Sequence, residues 1–343
     1  MPVDVEIFLD PADTAPIIDV RSPGEYGQGH LPGAVSMPLF TDEERAEVGT
    51  TYKQVGPEQA FTLGLDRVGP KMSHFVQRAK EIAPDGDIKV YCWRGGKRSG
   101  SMGWLLAQAG FKTQVLKGGY KAYRTYLHSE LEKPLKLAIV GGMTGSGKTD
   151  ILHQLAQRGE QVIDLEGIAH HRGSAFGAVG LPDQPTNEQF WNQVFDHLQK
   201  LDPQRTIWME DESRSIGRVT VPEPLFQQKE QAPVYAVEVQ TALRVAYLKE
   251  VYASHPVEEL QGALQKIERR LGRRDTVEMQ QALAEGDMDR VTRRLLGYYD
   301  KMYQHGLARR ASDQVVHVKL EPEALNWNDW LTRVTDQLLE VRR

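Results

Sequence analysis

The only cysteine of the chain, Cys92, lies in the stretch KVYCWRGGKRSGSMGWLLAQAG, residues 89–110, between an apolar run and a helix-compatible run. Around it stand Arg94, Gly95, Gly96, Lys97, Arg98 and Ser99. Glycines at these positions let the backbone curl so that amide N–H groups can point at the sulfur. A helix starting near Arg98 or Ser99 adds its positive end, and three cations add charge, surroundings expected to favour a thiolate. The same cradle suits a tetrahedral oxyanion. A lone cysteine is more often a small buried hydrophobe. Three cations around an inert core thiol would be costly buried charge, however, so the expectation is a reactive sulfur.

A second stretch, LKLAIVGGMTGSGKT, runs from an apolar strand into G-x-x-x-x-G-K-T, with Gly142, Gly147, Lys148 and Thr149 at the required places and Thr144, Gly145 and Ser146 between them. In such a P-loop the backbone N–H groups wrap a diphosphate, the lysine reaches its terminal oxygens and the threonine can hold a magnesium ion. Few chance matches both follow an apolar strand and open a helix such as KTDILHQLAQRG. The acid partner of a metal is expected from Glu210 or Asp211, where TIWMED ends. The polar segment DLEGIAHHRGSAFG offers Asp164, Glu166, Arg172 and Ser174 to the same crevice, and DESRSIGR offers Arg214. His170 and His171 are adjacent, so their side chains diverge, and no further ligands stand at metal-site spacing.

These motifs need elements to hold them. Residues 1–131 alternate short apolar runs (APIIDV, DIKVYC, TQVLKGG) with longer helix-compatible stretches, the pattern of a parallel α/β sheet. The polar segment ending at Pro134 breaks helix continuation, and a second domain over 132–343 repeats the alternation. Its strands are expected at KLAIVGG, EQVIDLEG, RTIWMEDES, APVYAVEV and QVVHVKL, with a helical insertion over about 240–310. The expected architecture is therefore α/β throughout, in two domains.

Composition sets limits. Apolar residues make up 40% of the chain, enough for two cores. The formal net charge of −5 excludes a globally basic nucleic-acid binder. Between Lys266 and Arg310, however, eleven Lys and Arg face seven acids, a local excess of +4. Arg269, Arg270, Arg273, Arg274, Arg293 and Arg294 are candidate RNA contacts there, with Tyr298, Tyr299 and Tyr303 as stacking surfaces. The bland alternative is a solvated helix face laced with i,i+4 pairs. One cysteine excludes a disulfide scaffold or a cysteine-rich zinc site. No run of 18 apolar residues occurs, and the expected location is the cytoplasm.

The spacing C-x-x-G-x-x-R-S leaves two chemistries open at Cys92, that of a cysteine phosphatase and that of a rhodanese sulfurtransferase. IIDVRSPGEYGQGHLPGAVSMP, residues 17–38, resembles the N-terminal rhodanese signature, carried by Asp19, Arg21, Glu25, Gly29, His30, Pro32, Gly33 and Ala34. VLKGGYKAY, residues 115–123, resembles its closing segment. Asp19 and Arg21 read as a structural pair beneath the loop, and His30 as a residue that fixes the turn. A rhodanese unit followed by GGMTGSGKT, DLEGIAHHRGSAFG and EDESRSIG resembles the tRNA 2-selenouridine synthase family over nearly the whole chain. That resemblance implies exchange of sulfur for selenium in wobble 2-thiouridine of the tRNA anticodon, with selenophosphate as selenium donor. It also implies an S-geranyl intermediate made from geranyl diphosphate. Cys92 would accept or position selenium, the P-loop, Gly142 to Thr149, would serve the tRNA and geranyl diphosphate step, and no redox cofactor is called for. The competing readings are a stand-alone sulfurtransferase with a nucleotide-sensing domain, and a kinase carrying an inactive rhodanese module.

Overall fold

The computed structural model describes residues 1–174, 176–252, 254–308, 310–320 and 326–342. Arg309, counted in the cationic segment, lies outside them. The chain divides into two compact units, 1–131 and 132–343.

In the first unit the strands are Pro2–Val3 (β1), Ile17–Asp19 (β2), Val35–Ser36 (β3), Asp87–Tyr91 (β4) and Lys112–Leu116 (β5). They form one all-parallel sheet in the order β1-β5-β4-β2-β3. Strand β4 is buried from Ile88 to Tyr91, as a strand covered on both faces must be. The helices are Val5–Phe8 (α1), Pro23–Gln28 (α2), Asp42–Gln54 (α3), Pro57–Val68 (α4), Met72–Ile82 (α5), Lys97–Gln108 (α6) and Gly119–Leu131 (α7). The register pairs Asp19 with Tyr91, so the residues after β2 and after β4 leave the same end of the sheet.

In the second unit, Leu137–Gly142 (β6), Gln161–Ile163 (β7), Ile207–Glu210 (β8), Val234–Glu238 (β11) and Val315–Lys319 (β12) make a parallel sheet ordered β12-β11-β6-β8-β7. Ser215–Ile216 (β9) and Val219–Thr220 (β10) form a separate antiparallel pair. Every residue of β6, the central strand, is buried. Helices Lys148–Gln157 (α8), Leu165–Ala169 (α9), Asn187–Gln199 (α10) and Glu223–Gln231 (α11) connect these strands. Between β11 and β12 come Thr241–Tyr252 (α12), Val257–Lys266 (α13), Glu268–Leu271 (α14), Arg273–Ala284 (α15) and Met288–Leu307 (α16). They enclose an apolar core of their own, built on Leu260, Leu264, Met279, Leu283, Val291 and Leu296. Trp327–Arg342 (α17) packs back on the sheet through Trp330, Val334 and Leu338. Chain order reverses around β6, with β7 and β8 on one side and β11 and β12 on the other, and such switch points open a crevice at the carboxyl ends of strands. Among the described residues no helix is long and apolar enough to cross a membrane.

Two candidate sites and the family of the chain

In the first unit the loop after β4 is fixed by backbone rather than by side chains. Gly95 has φ +63°, and a Cβ there would come within 2.5 Å of the Leu116 carbonyl oxygen and 2.6 Å of the Gly118 nitrogen. Only glycine fits, because the cysteine loop lies flat on the start of α7. There the Tyr120 N–H donates to the Cys92 carbonyl at 2.8 Å and the Lys121 N–H to that of Trp93 at 3.0 Å. Gly96 has φ −98° and an open Cβ direction, so the left-handed turn is made at Gly95 alone. Helix α6 starts at Lys97, and Ser99 in its first turn sets its Oγ 3.1 Å from Cys92 Sγ.

The three cations go separate ways. Arg98 is ion-paired with Glu25 at 2.6 Å, Lys97 places its ammonium 4.6 Å from the centre of the Phe61 ring, and Arg94 is exposed. Burial would raise the Glu25 carboxyl, but the Arg98 guanidinium outweighs it and holds the group below the usual range. Glu25 also closes the capping box of α2 with Ser22, so one carboxylate ties α2 to the first turn of α6. Beneath lie Asp19 and Arg21, both fully buried and paired at 2.6 Å. Asp19 takes the Tyr91 hydroxyl at 2.6 Å, and the Arg21 guanidinium stands 3.9 Å from the Tyr120 ring centre. His30 stacks on Tyr26 and reaches its carbonyl with Nδ1 at 3.0 Å, a structural role.

In the second unit Gly145 and Gly147 adopt φ +77° and +69°, and Cβ atoms there would collide with Leu248 and Trp327. The loop opens onto a cavity of about 600 Å³. Thr144, Gly145, Ser146, Gly147, Lys148 and Thr149 line it, together with Glu166, Arg172, Ser174, Asp211 and Arg214. Asp164 and Glu210 do not line it. Asp164 caps α9 by accepting from the Gly167 N–H at 2.6 Å, and fully buried Glu210 accepts from the Leu165 N–H at 3.0 Å. Arg214 pairs with Glu223 at 2.6 Å.

Lys148 faces Glu212 at 3.4 Å, and Thr149 donates its hydroxyl to Glu166 at 3.0 Å. Burial would lower the lysine, but the carboxylates of Glu212 and Glu166 outweigh it and raise it above its usual value. Burial and the neighbouring Glu212 together push Glu166 well above the carboxylate range. Among the described residues no three His, Cys, Asp or Glu side chains converge as a metal site. Thr149 with Glu166 and Glu212 is nonetheless an oxygen set of the kind magnesium takes together with substrate phosphates. Asp211, also in the lining, is occupied by Lys229 at 3.0 Å and by Arg310 at 2.8 Å.

Motif reading did not single out several cavity residues, Glu212 among them although it stands inside EDESRSIG. Glu212 is one step beyond the strand-end acids, and Lys229 belongs to a helix that reads as solvated. Tyr299 and Tyr303, expected as RNA-stacking surfaces, line the cavity, together with Tyr247 and Tyr252. Fully buried Arg244 makes a two-pronged pair with Asp300 and donates to the Thr144 carbonyl at 2.9 Å, so α12 and α16 hold the P-loop from above. Of the expected RNA contacts, Arg293 pairs with Asp289 and Arg294 with Asp275. Arg269, Arg270, Arg273 and Arg274 are exposed around Gly272.

Comparison with known proteins supplies the family. A family model described as the tRNA 2-selenouridine synthase AAA domain matches residues 135–333, and the rhodanese-like domain model matches residues 4–126. A tRNA 2-selenouridine synthase of Sulfurovum sp. (strain NBC37-1) is 36% identical over 335 residues, covering 88% of this chain and 91% of that one. Those of Nitrosomonas europaea and Aeromonas salmonicida are 39% and 37% identical; the alignments cover 75% and 89% of this chain, and 68% and 90% of theirs. The rhodanese-like first unit and the P-loop AAA-type second unit, both within the 88–89% of the chain matched by the Sulfurovum and Aeromonas relatives, make the chain a member of the tRNA 2-selenouridine synthase family.

Proposed function

We propose that the chain converts wobble 2-thiouridine of tRNA to 2-selenouridine in the cytoplasm, in two steps with separate sites. In the second unit, the sulfur of 2-thiouridine attacks the C1 carbon of geranyl diphosphate. A carbon–sulfur bond forms, the carbon–oxygen bond to diphosphate breaks, and the base gives up its N3 proton. The observation that carries this reading is the cavity itself, which combines a P-loop and Lys148 with Leu248, Tyr252, Tyr299 and Leu307. Such a lining suits a diphosphate attached to an apolar chain. Lys148 and the loop N–H groups would hold the leaving diphosphate, and magnesium, where bound, would sit at Thr149, Glu166 and Glu212 and offset its charge.

In the first unit, the loop of Cys92 through Ser99 would hold selenophosphate, and Cys92 would position its selenium for attack on C2 of the geranylated base. The carbon–selenium bond forms, geranylthiol leaves with a proton, and water releases phosphate. Selenium enters and leaves at the selenide level, so no oxidant or reductant is needed. The exposed arginines at 269, 270, 273 and 274 are proposed contacts to the RNA backbone.

The test is reconstitution with purified protein, tRNA bearing 2-thiouridine and nucleoside mass spectrometry. Geranyl diphosphate alone should yield the S-geranyl nucleoside, and added selenophosphate should then yield 2-selenouridine. Selenouridine formed at full rate without geranyl diphosphate would refute the two-step order.

A further inference from the structure

Helices α3 and α4 of the first unit frame an apolar groove of about 160 Å³ that nothing in the motifs announces. Leu39, Phe40, Val48 and Val68 form its floor, and Tyr52, Phe61 and Leu65 its walls. Those three wall residues are 59%, 45% and 55% exposed, an apolar concentration that soluble surfaces rarely leave without an occupant. Its third side comes from the cysteine loop's own helix, through Lys97, Arg98 and Ser101 of α6. Ser99, between those residues, touches Cys92 Sγ. The floor and Cys92 also share one apolar cluster.

We propose that this groove holds the hydrocarbon substituent carried by the base's sulfur while that base is presented to Cys92. The inference rests on the two-step reading above and adds the place where the departing alkyl chain lies. The charge pattern favours this occupant over a protein partner. The pocket is apolar inside and carries Lys97 at its rim, which matches a hydrocarbon arm on a polyanion. It also supplies a reason for alkylating the sulfur beyond leaving-group chemistry. A bare thiocarbonyl has nothing to fill the groove, so only alkylated RNA would be drawn to the cysteine loop.

Two readouts test it on the full chain. First, pre-formed S-geranyl tRNA and S-methyl tRNA are each supplied with selenophosphate. The account expects Leu65→Asp and Phe61→Ser to raise KM for the geranyl substrate at least about tenfold and to leave the S-methyl substrate within about twofold. Retained geranylation of 2-thiouridine tRNA by the same variants shows that they are folded. Second, Cys92 is the only cysteine, so its alkylation rate reports occupancy of the neighbourhood. The nucleoside S-geranyl-2-thiouridine should slow that reaction in the unaltered chain and not in Leu65→Asp. Equal KM for variant and unaltered chains on both substrates overturns the inference while leaving the two-step reading intact. A dimer that Leu65→Asp splits with no change in KM would assign the groove to a second copy and overturn it as well. Failure of the unaltered chain to selenate S-geranyl tRNA overturns the two-step reading, and the inference with it.

Discussion

At the scale of single residues, Ser146 and Tyr303 carry the plainest signal. Ser146 Oγ, inside the P-loop, is a buried oxygen without a hydrogen-bond partner, and Tyr303 Oη, buried at the start of the loop, has only the Gly142 backbone beside it. A Cβ on Gly141 would lie 2.7 Å from Tyr303 Oη, so the phenol stands over the point where β6 becomes loop. Burial and the nearby Asp211 push this phenol up to about 12, so it is a hydrogen-bond donor throughout the working range. Its O–H remains free to donate, and a bound diphosphate oxygen accepting it would contribute about 0.5–1.5 kcal/mol net. Tyr303→Phe should therefore weaken pyrophosphate binding about 2- to 10-fold by calorimetry, with the ligand-free melting temperature unchanged or slightly raised. A melting temperature that falls while affinity holds would make Tyr303 a packing residue only.

At the scale of elements, the loops do the work and the glycines decide them. Gly95→Ala meets a left-handed φ that costs about 1–2 kcal/mol in an L-residue, and adds a collision with the Leu116 carbonyl. The expected outcome is loss of selenation with geranylation retained, together with a lower melting temperature for the first unit. Unchanged selenation would mean that the loop tolerates another path. The longer strands of both parallel sheets were legible as apolar runs, and the helical insertion as a stretch without strand signals. The two-residue strands β1, β3, β9 and β10 were not, because so short a segment has no period to read. The Cys92 loop and the P-loop were equally plain as motifs, since each is a run of consecutive residues. Glu212, Lys229, Arg244 and Tyr303 come together only through tertiary packing, and no spacing in the sequence announces it. The three cations near Cys92 show the converse. Adjacency suggested a shared target, and packing sent Arg98 to Glu25 and Lys97 over Phe61.

At the scale of the whole molecule, each of the two α/β units carries one candidate site, a short cysteine loop in the first and a P-loop under a helical cap in the second. In a chain with a net charge of −5, the four exposed arginines around Gly272 form a local cationic cluster. The central claim is a division of labour, in which sulfur alkylation belongs to Lys148 and selenium entry to Cys92. Nucleosides from tRNA of cells carrying each variant, read by mass spectrometry, test it most directly. Cys92→Ala should accumulate the S-geranyl nucleoside and contain no 2-selenouridine, whereas Lys148→Ala should contain neither and retain 2-thiouridine. Normal 2-selenouridine in the Cys92→Ala cells would contradict the account.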